Sequence, residues 1–326
     1  MKIVFFGTPF FAAFNLEFLF KKKHNIISVI SAPDKEKGRG KKIIPTQVKL
    51  KANSLQIEVK TPLSLKNEKF ISYLKTLDAD LFVVVAFRKL PKSIWTLPKY
   101  GTVNLHTSLL PNYRGAAPIN RVLINDEQET GLTTFFIDDK IDCGEIISQE
   151  KINLSDNTTA AQLHNIMMKK GSKLLDKTID LIQNNNFRKS KQENKLAEKK
   201  AKKLTKELTK INWKNDAKEI HNLVRGLSPF LSENEILKDI SICPAAWFYI
   251  TNENGKKIRA KLILSTYSNQ TNNNLLSIET DQKSFFKINL NNGSIYINKI
   301  QLEGKKVINI SQFLMGHKVN KKWIIS

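Results

Sequence analysis

The chain has almost no cysteine, since Cys143 and Cys243 are the two in 326 residues. Two isolated cysteines form neither a disulfide framework nor a cysteine-rich metal site. We therefore expect no bound metal, and a reducing compartment is the simplest setting for such a chain.

Long apolar runs are also missing. The best internal run, Leu81 to Phe87, is far too short to span a bilayer. The apolar N-terminus is interrupted by Gly7-Thr8-Pro9, and its positive charges at Lys21 to Lys23 follow the apolar stretch, whereas those of a signal peptide precede it. We expect a cytoplasmic protein with no membrane partner.

Glycine-rich phosphate-binding loops are absent from the sequence. Gly7-Thr8-Pro9 follows the first apolar run, where a dinucleotide-binding protein carries a three-glycine fingerprint. No P-loop motif occurs elsewhere in the chain. We therefore expect neither an NAD cofactor nor nucleotide hydrolysis.

Acidic residues are scarce beside basic ones, at 30 against 53, which gives a formal net charge of +23. Such a chain attracts polyanions, of which nucleic acid and anionic membranes are the usual examples. Only seven of the basic residues are arginine, however, and asparagine and isoleucine are abundant. An A+T-rich genome would produce the same bias without any RNA binding, so both explanations stay open.

The first half of the chain alternates between strand and helix patterns. Lys2 to Phe6, Ile26 to Ile30, Leu81 to Ala86 and Val103 to His106 are short apolar runs typical of buried parallel strands. Phe10 to Lys22 has the pattern of an intervening helix. This alternation predicts a Rossmann-like α/β domain whose mostly parallel sheet binds ligands at the carboxyl ends of its strands.

The second half has a different character. Phe187 to Lys210 is rich in lysine and glutamate, as in a linker or a solvated helix. Short strands with polar turns follow, for example Trp247 to Thr251, and predict a small β-barrel or sandwich, of which we favour an OB-like barrel. The predicted domains are a catalytic domain at 1–186, a basic linker at 187–210 and a β-barrel at 211–326.

The densest group of polar residues follows the strand at Val103. Asn104 and His106 point to the same side of that strand because side chains alternate. An amide and an imidazole at a strand end could hold and protonate a developing oxyanion. Asp142, in a later loop, could orient the imidazole or take up a proton. The Asn-x-His pair on its own also fits a purely structural role.

Several motifs carry a resemblance to a known family. The segment from Asn104 to Ile119 and the triplet Asp142-Cys143-Gly144 resemble the signatures of folate-dependent formyltransferases. Other segments are similar to the branch of that family that acts on methionyl-tRNA: Gly7-Thr8-Pro9, Pro33-Asp34, Gly38 to Lys42, Lys203 to Glu207, Ile211 to Trp213, Gly304 to Lys306 and Phe313-Leu314. The matches run almost end to end and keep their order.

The resemblance implies transfer of the formyl group of 10-formyltetrahydrofolate to the amino group of initiator methionyl-tRNA, for translation initiation. It implies that Asn104, His106 and Asp142 are catalytic. Folate would bind at the loop of Ser108, Leu109, Leu110 and Pro111. The tRNA would bind at Arg39, Lys41, Lys42, Lys203 and Lys206, and in the C-terminal barrel. We expect a monomer.

The sequence departs from the family pattern at Arg88, Thr107 and Cys143, where the family more often has glycine, glycine and threonine. The first of these lies close to the expected folate pocket.

Two other interpretations of the function stay open. A formyltransferase for a small amine would share the three catalytic residues but would not need the basic linker. A non-catalytic RNA-binding protein would not need those residues at all.

Overall fold

The computed structural model describes residues 1–37, 42–193, 199–237, 239, 241–270 and 276–326. The chain forms two compact units. The first unit comprises Met1–Gly115, Thr130–Ile152 and Ile166–Lys200, and the second comprises Ala116–Glu129, Asn153–Asn165 and Ala201–Ser326. Each unit is thus assembled from several stretches of chain, and the linear domain boundaries stay a prediction.

The first unit is built on a seven-stranded sheet. Its strands are β1 (Lys2–Gly7), β2 (Asn25–Ile30), β5 (Val59–Lys60), β6 (Leu81–Val85), β7 (Thr102–His106), β9 (Glu129–Phe136) and β10 (Ile146–Asn153), and a separate hairpin pairs β3 (Lys35–Lys37) with β4 (Lys42–Ile44). The order is β10-β9-β7-β6-β1-β2-β5. Strands β1, β2, β5, β6 and β7 pair in parallel, and β9 is antiparallel to β7. The predicted mostly parallel sheet is confirmed.

The helices, which connect these strands or belong to the second unit, are α1 (Phe10–Lys21), α2 (Gln47–Ser54), α3 (Glu68–Thr76), α4 (Lys92–Trp95), α5 (Pro118–Ile124), α6 (Ala160–Gln183), α7 (Lys206–Thr209), α8 (Ala217–Leu227) and α9 (Ile310–Gly316). Polar side chains define several helix starts. The hydroxyl of Thr46 accepts the amide of Lys49, and the side chain of Asn67 accepts the amide of Phe70. In the part of the chain that the structure describes, no helix is long and apolar enough to cross a bilayer.

The second unit contains a curled antiparallel sheet. Its strands are β14 (Ala246–Thr251), β15 (Lys257–Ser268), β16 (Ile278–Thr280), β17 (Phe286–Leu290), β18 (Gly293–Leu302), β19 (Val307–Asn309) and β20 (Ile324–Ile325). They run in the order β16-β17-β18-β15-β14-β20, with β19 on β18, as a half-barrel. Helix α8 packs its apolar side on the core of this sheet, in line with the predicted barrel.

Residues 187–210 differ from one of the two sequence interpretations, the solvated helix, and the linker stays a prediction. Their described part contains no long solvated helix. Strand β11 (Lys200–Ala201) pairs with β8 (Arg114–Gly115), and only the short helix α7 follows. The sequence interpretation also missed α8, a further hairpin of β12 (Phe230–Ser232) with β13 (Glu235–Ile236), and the hairpin of β3 and β4.

Buried side chains of β6 form part of the hydrophobic core of the first unit. Phe82 is fully buried and contacts the ring of Phe6 with centroids 5.1 Å apart. We predict that Phe82→Ala lowers the free energy of unfolding by about 3–5 kcal/mol, because it removes apolar contacts and leaves a cavity. Phe10→Ala is the control, since Phe10 is 50% exposed and its loss should change stability little. Denaturant unfolding measures both variants. Equal losses of unfolding free energy would contradict the assignment of Phe82 to the buried core.

Candidate active site

Asn104 and His106 lie on β7, where the sheet changes from parallel to antiparallel pairing. Asn104 is opposite Val84 of β6 and Phe135 of β9, and His106 is opposite Thr133. The side chain of His106 is 7% exposed, and its ring meets the edge of Phe135. Asn104 is half-buried, and its amide makes no hydrogen bond with any residue that the structure describes. The strand end therefore presents a fixed imidazole and a free amide.

The surroundings of His106 identify its tautomer. Its Nε2 lies 2.9 Å from the carbonyl oxygen of Tyr113. A carbonyl only accepts, so Nε2 carries a proton and donates it. The other nitrogen, Nδ1, lies 3.8 Å from Oδ2 of Asp142. This distance is too long for a direct hydrogen bond but suits an ion pair. Nδ1 is thus the nitrogen that can gain or lose a proton.

Asp142 is held in place by backbone groups. Its Oδ2 accepts the amide of Gly115 at 2.9 Å, and its side chain is 15% exposed. Its φ is +55°, in the left-handed region that aspartate tolerates better than most residues. Gly144, two residues on, has no room for a Cβ, which would overlap the carbonyl oxygen of Phe136. The loop therefore brings its carboxylate to His106 through a tightly constrained turn.

The loop after His106 is fastened by one buried hydroxyl. Oγ1 of Thr133 donates to the carbonyl of Ser108 at 2.7 Å and accepts the amide of Leu110 at 3.1 Å. It also accepts from Nε2 of Gln149 at 2.9 Å, and that amide donates to the carbonyl of Leu110 at 2.9 Å. Thr133 and Gln149 were not predicted from the sequence, because their partners, mostly backbone atoms, are remote in the chain.

The four predicted folate-binding residues are placed differently within this loop. Ser108 and Leu110 are buried, whereas Leu109 and Pro111 are half-buried. The hydroxyl of Ser108 donates to the carbonyl of Asn112 at 2.7 Å, so it is used within the loop itself. The structure therefore gives Ser108 a role in loop shape and leaves Leu109 and Pro111 partly accessible.

Arg88, a departure from the family pattern, follows the end of β6. Its guanidinium donates to the carbonyls of Pro62 at 2.9 Å and Leu63 at 3.2 Å, and lies over the ring of Phe87. Burial lowers the pKa of Arg88 from its ordinary value. Its Nε–H is buried and has no partner among the described residues. Arg88 thus anchors the segment at residues 62–63.

Three of the five predicted tRNA-binding residues are among the described residues. Arg39 and Lys41 lie outside the described residues, and Lys42 begins β4. Lys203 and Lys206 are exposed, and Lys206 begins α7.

One group of described residues, His24, Asp176 and Asp180, has the spacing of a metal site. Nε2 of His24 already lies 2.7 Å from Oδ1 of Asp176, and the ammonium of Lys22 lies 3.7 Å from the same carboxylate. These contacts account for the group as an ion-pair network. It involves none of the residues at the end of β7.

Comparison with known proteins defines the class of this fold and site. Residues 1–179 match the family described as formyl transferase, and residues 203–318 match the formyl transferase C-terminal domain. Among solved structures, a sugar 3N-formyl transferase is 24% identical, with a TM-score of 0.62 over 94% of this chain and 99% of that one. An N-formyltransferase from Helicobacter canadensis is 23% identical, with a TM-score of 0.60 over 91% and 98%. These two likenesses show the fold.

Closer sequence relatives define the branch. The methionyl-tRNA formyltransferase of Flavobacterium johnsoniae is 41% identical over 320 residues, which are 97% of this chain and 96% of the relative. That of Parabacteroides distasonis is 39% identical over 324 residues, 98% and 96% of the two chains. The chain belongs to the methionyl-tRNA formyltransferase family.

The contacts of Thr133 lead to a test of the loop. We predict that Thr133→Val lowers the free energy of unfolding by about 1–3 kcal/mol, because the buried amide of Leu110 and carbonyl of Ser108 lose their partner. Thr133→Ser keeps the hydroxyl and should cost clearly less. Denaturant unfolding of both variants measures the difference, and equal stability would show that the hydroxyl does not fasten the loop.

Proposed function

We propose that the chain transfers the formyl group of 10-formyltetrahydrofolate to the amino group of initiator methionyl-tRNA, for translation initiation. The observation that carries this proposal is the grouping of Asn104, His106 and Asp142 at one strand end, in a chain of this family. The amine nitrogen attacks the formyl carbon, and a tetrahedral intermediate forms. The bond from that carbon to the folate nitrogen then breaks, and the leaving nitrogen takes up a proton.

Asn104 is the proposed donor to the formyl oxygen. Its side chain is half-buried at the strand end and has no hydrogen-bond partner among the described residues, so its N–H groups are available. The formyl oxygen gains negative charge as the amine attacks, and a fixed donor stabilises that charge more than it stabilises the substrate. Such a donor typically lowers the barrier by about 3–4 kcal/mol.

His106 and Asp142 are the proposed proton-transfer pair. Because Nε2 of His106 is committed to Tyr113, only Nδ1, on the side of Asp142, can exchange a proton. The separation of 3.8 Å between Nδ1 and Oδ2 is within the range of an ion pair. We assign to Asp142 the removal of the proton from the attacking amine, directly or through a water molecule. The proton then passes from Asp142 to Nδ1 of His106, and the resulting imidazolium gives it to the leaving folate nitrogen while the Asp142 carboxylate, charged again, stabilises the imidazolium.

The loop of residues 108–111 is the proposed folate-binding loop. Leu109 and Pro111 are its partly accessible side chains and suit the apolar faces of a folate ring. Ser108 contributes by fixing the loop backbone through its hydrogen bond to Asn112.

A cationic face in the second unit supports an RNA partner. Trp247 and Tyr249 of β14 are half-buried neighbours, and Arg259 of β15 lies 4.2 Å above the Trp247 ring. Lys257 lies 4.4 Å above the ring of Tyr249, and Lys210 lies about 6 Å from both rings.

Lys261 also belongs to this face, because it is opposite Trp247 in the sheet. None of Lys210, Lys257, Arg259 and Lys261 forms an ion pair with a carboxylate of the described chain. Burial and the charge of Arg259 lower the pKa of Lys261. Uncompensated cations on aromatic rings suit a phosphate backbone with exposed bases. We therefore add this face to Lys203 and Lys206 as a tRNA contact.

We also propose that the protein is a cytoplasmic monomer. Both cysteines are free, which suits a reducing compartment. Asn104, His106 and Asp142 all belong to the first unit of one chain, so the proposed chemistry needs no residue of a second copy. Light scattering of the purified protein measures its mass in solution.

The chemistry is tested by formyl transfer from 10-formyltetrahydrofolate to initiator methionyl-tRNA, elongator methionyl-tRNA and small amines. We expect transfer to the initiator to be preferred. Asn104→Ala should lower kcat about 100- to 1000-fold, because it removes the oxyanion donor, and Asp142→Ala should also abolish most activity. Gln183→Ala, on an exposed residue at the end of α6, is the control. Transfer only to small amines would contradict the proposed tRNA acceptor. RNA binding without any formyl transfer would contradict the proposed enzymatic activity.

The cationic face is tested by the salt dependence of tRNA binding. Each lost phosphate contact reduces the magnitude of the negative slope of log K against log salt concentration by about 1, so Lys257→Gln with Arg259→Gln should reduce it by about 2. Lys203→Gln and Lys206→Gln test the linker in the same way. Lys69→Gln, at an exposed position of α3, removes one charge elsewhere and should leave the slope unchanged. An unchanged slope in the double variant would exclude this face as a tRNA contact.

A further inference from the structure

The segment at residues 187–193 is attached to the first unit, although its sequence resembles a solvated linker. Ser190 and Ile146 exchange both backbone hydrogen bonds, at 2.8 and 2.9 Å. The ring of Phe187 contacts that of Phe136, and the ammonium of Lys189 lies 4.7 Å from the same ring. These contacts bring Gln192 to the loop that carries Asp142.

Gln192 uses its whole amide in four hydrogen bonds. Its Oε1 accepts from Nε and Nη2 of Arg114 at 3.0 and 2.6 Å. Its Nε2 donates to the carbonyls of Asp142 and Gly144 at 3.0 and 2.8 Å. A guanidinium cannot accept and a carbonyl cannot donate, so the orientation of the amide is fixed. Glutamate would lack the two donors, and lysine would lack the acceptor.

These bonds close a ring of contacts around Asp142. Gln192 holds the backbone carbonyl of Asp142 and the side chain of Arg114, and the next residue, Gly115, donates to the Asp142 carboxylate. The left-handed backbone of Asp142 is thereby fixed from both sides. We infer that Gln192 is a positioning residue, which sets the Asp142 carboxylate against Nδ1 of His106. Its effect on catalysis rests on the proposed function.

Cys143 provides a test that does not depend on activity. It lies between the two carbonyls that Gln192 holds, is half-buried, and its thiol donates to the carbonyl of Ile141. The second cysteine, Cys243, is buried, which raises the pKa of its thiol and keeps it unreactive. We expect Gln192→Met and Gln192→Glu to accelerate alkylation of Cys143 by iodoacetamide about fivefold or more, because both lose the donors to the loop.

Gln183→Met is the matched control for this reaction. Gln183 is exposed at the end of α6, and alkylation in this variant should proceed at the wild-type rate. Thermal unfolding of each variant verifies that the fold is retained. An unchanged rate of Cys143 alkylation in both Gln192 variants would overturn the inference.

The kinetic test is a double-mutant cycle with Asp142. Gln192→Met should lower kcat/KM for formyl transfer about 10- to 100-fold, since a small displacement of a catalytic group is costly. In the Asp142→Ala background the same change should cost less than about twofold, because Gln192 acts through Asp142. A full further loss in that background would show a general structural role and overturn the inference. If the wild type transfers no formyl group, the proposed function fails, and the alkylation rates still decide the role of Gln192.

Discussion

The hydrogen bond from Nε2 of His106 to the carbonyl of Tyr113 holds the imidazole in one orientation, and much of the site follows from it. The chain must return from the end of β7 so that Tyr113 faces the residue seven positions before it. Tyr113 achieves this with a φ of +60°, and its own amide donates to the carbonyl of Lys199 at 2.6 Å. A left-handed tyrosine is costly, so a backbone contact on each side of the residue is needed to maintain it.

The same bond explains why Asp142 has to come from another part of the chain. With Nε2 occupied, a carboxylate acts on His106 only from the side of Nδ1. The loop between β9 and β10 reaches that side, and Gly144 allows the close turn beside Phe136. A neutral amide, Gln192, then secures this loop. A charged side chain in its place would change the electrostatic field at Asp142, whereas an amide provides donors and acceptors without adding charge.

Much of the first unit could be predicted because short, continuous stretches of sequence identify its strands. Buried apolar runs identified β1, β6 and β7, and the two-residue period of a strand placed Asn104 and His106 on one face. Helix α8 was missed, although its start carries a capping box at Asp216 and Glu219. The contacts of Thr133 and Gln192 could not be predicted, since each joins backbone atoms 23 to 50 residues away and leaves no spacing pattern in the sequence.

The excess of lysine shows a related limit of sequence reasoning. A net charge of +23 fits both RNA binding and a compositional bias, and counting residues does not separate them. The arrangement of the charges says more than their number, because several cations lie together on one sheet face beside Trp247 and Tyr249. Lys51 pairs with Glu17 and Lys49 with Asp34, as ordinary surface lysines do. Arg259 and Lys261 instead remain together on one sheet face although burial and mutual repulsion lower the pKa of the lysine. Repulsion of this kind is relieved when a polyanion binds. Two cations on β15 with no carboxylate partner among the described residues therefore support the proposed tRNA contact more strongly than the total charge does.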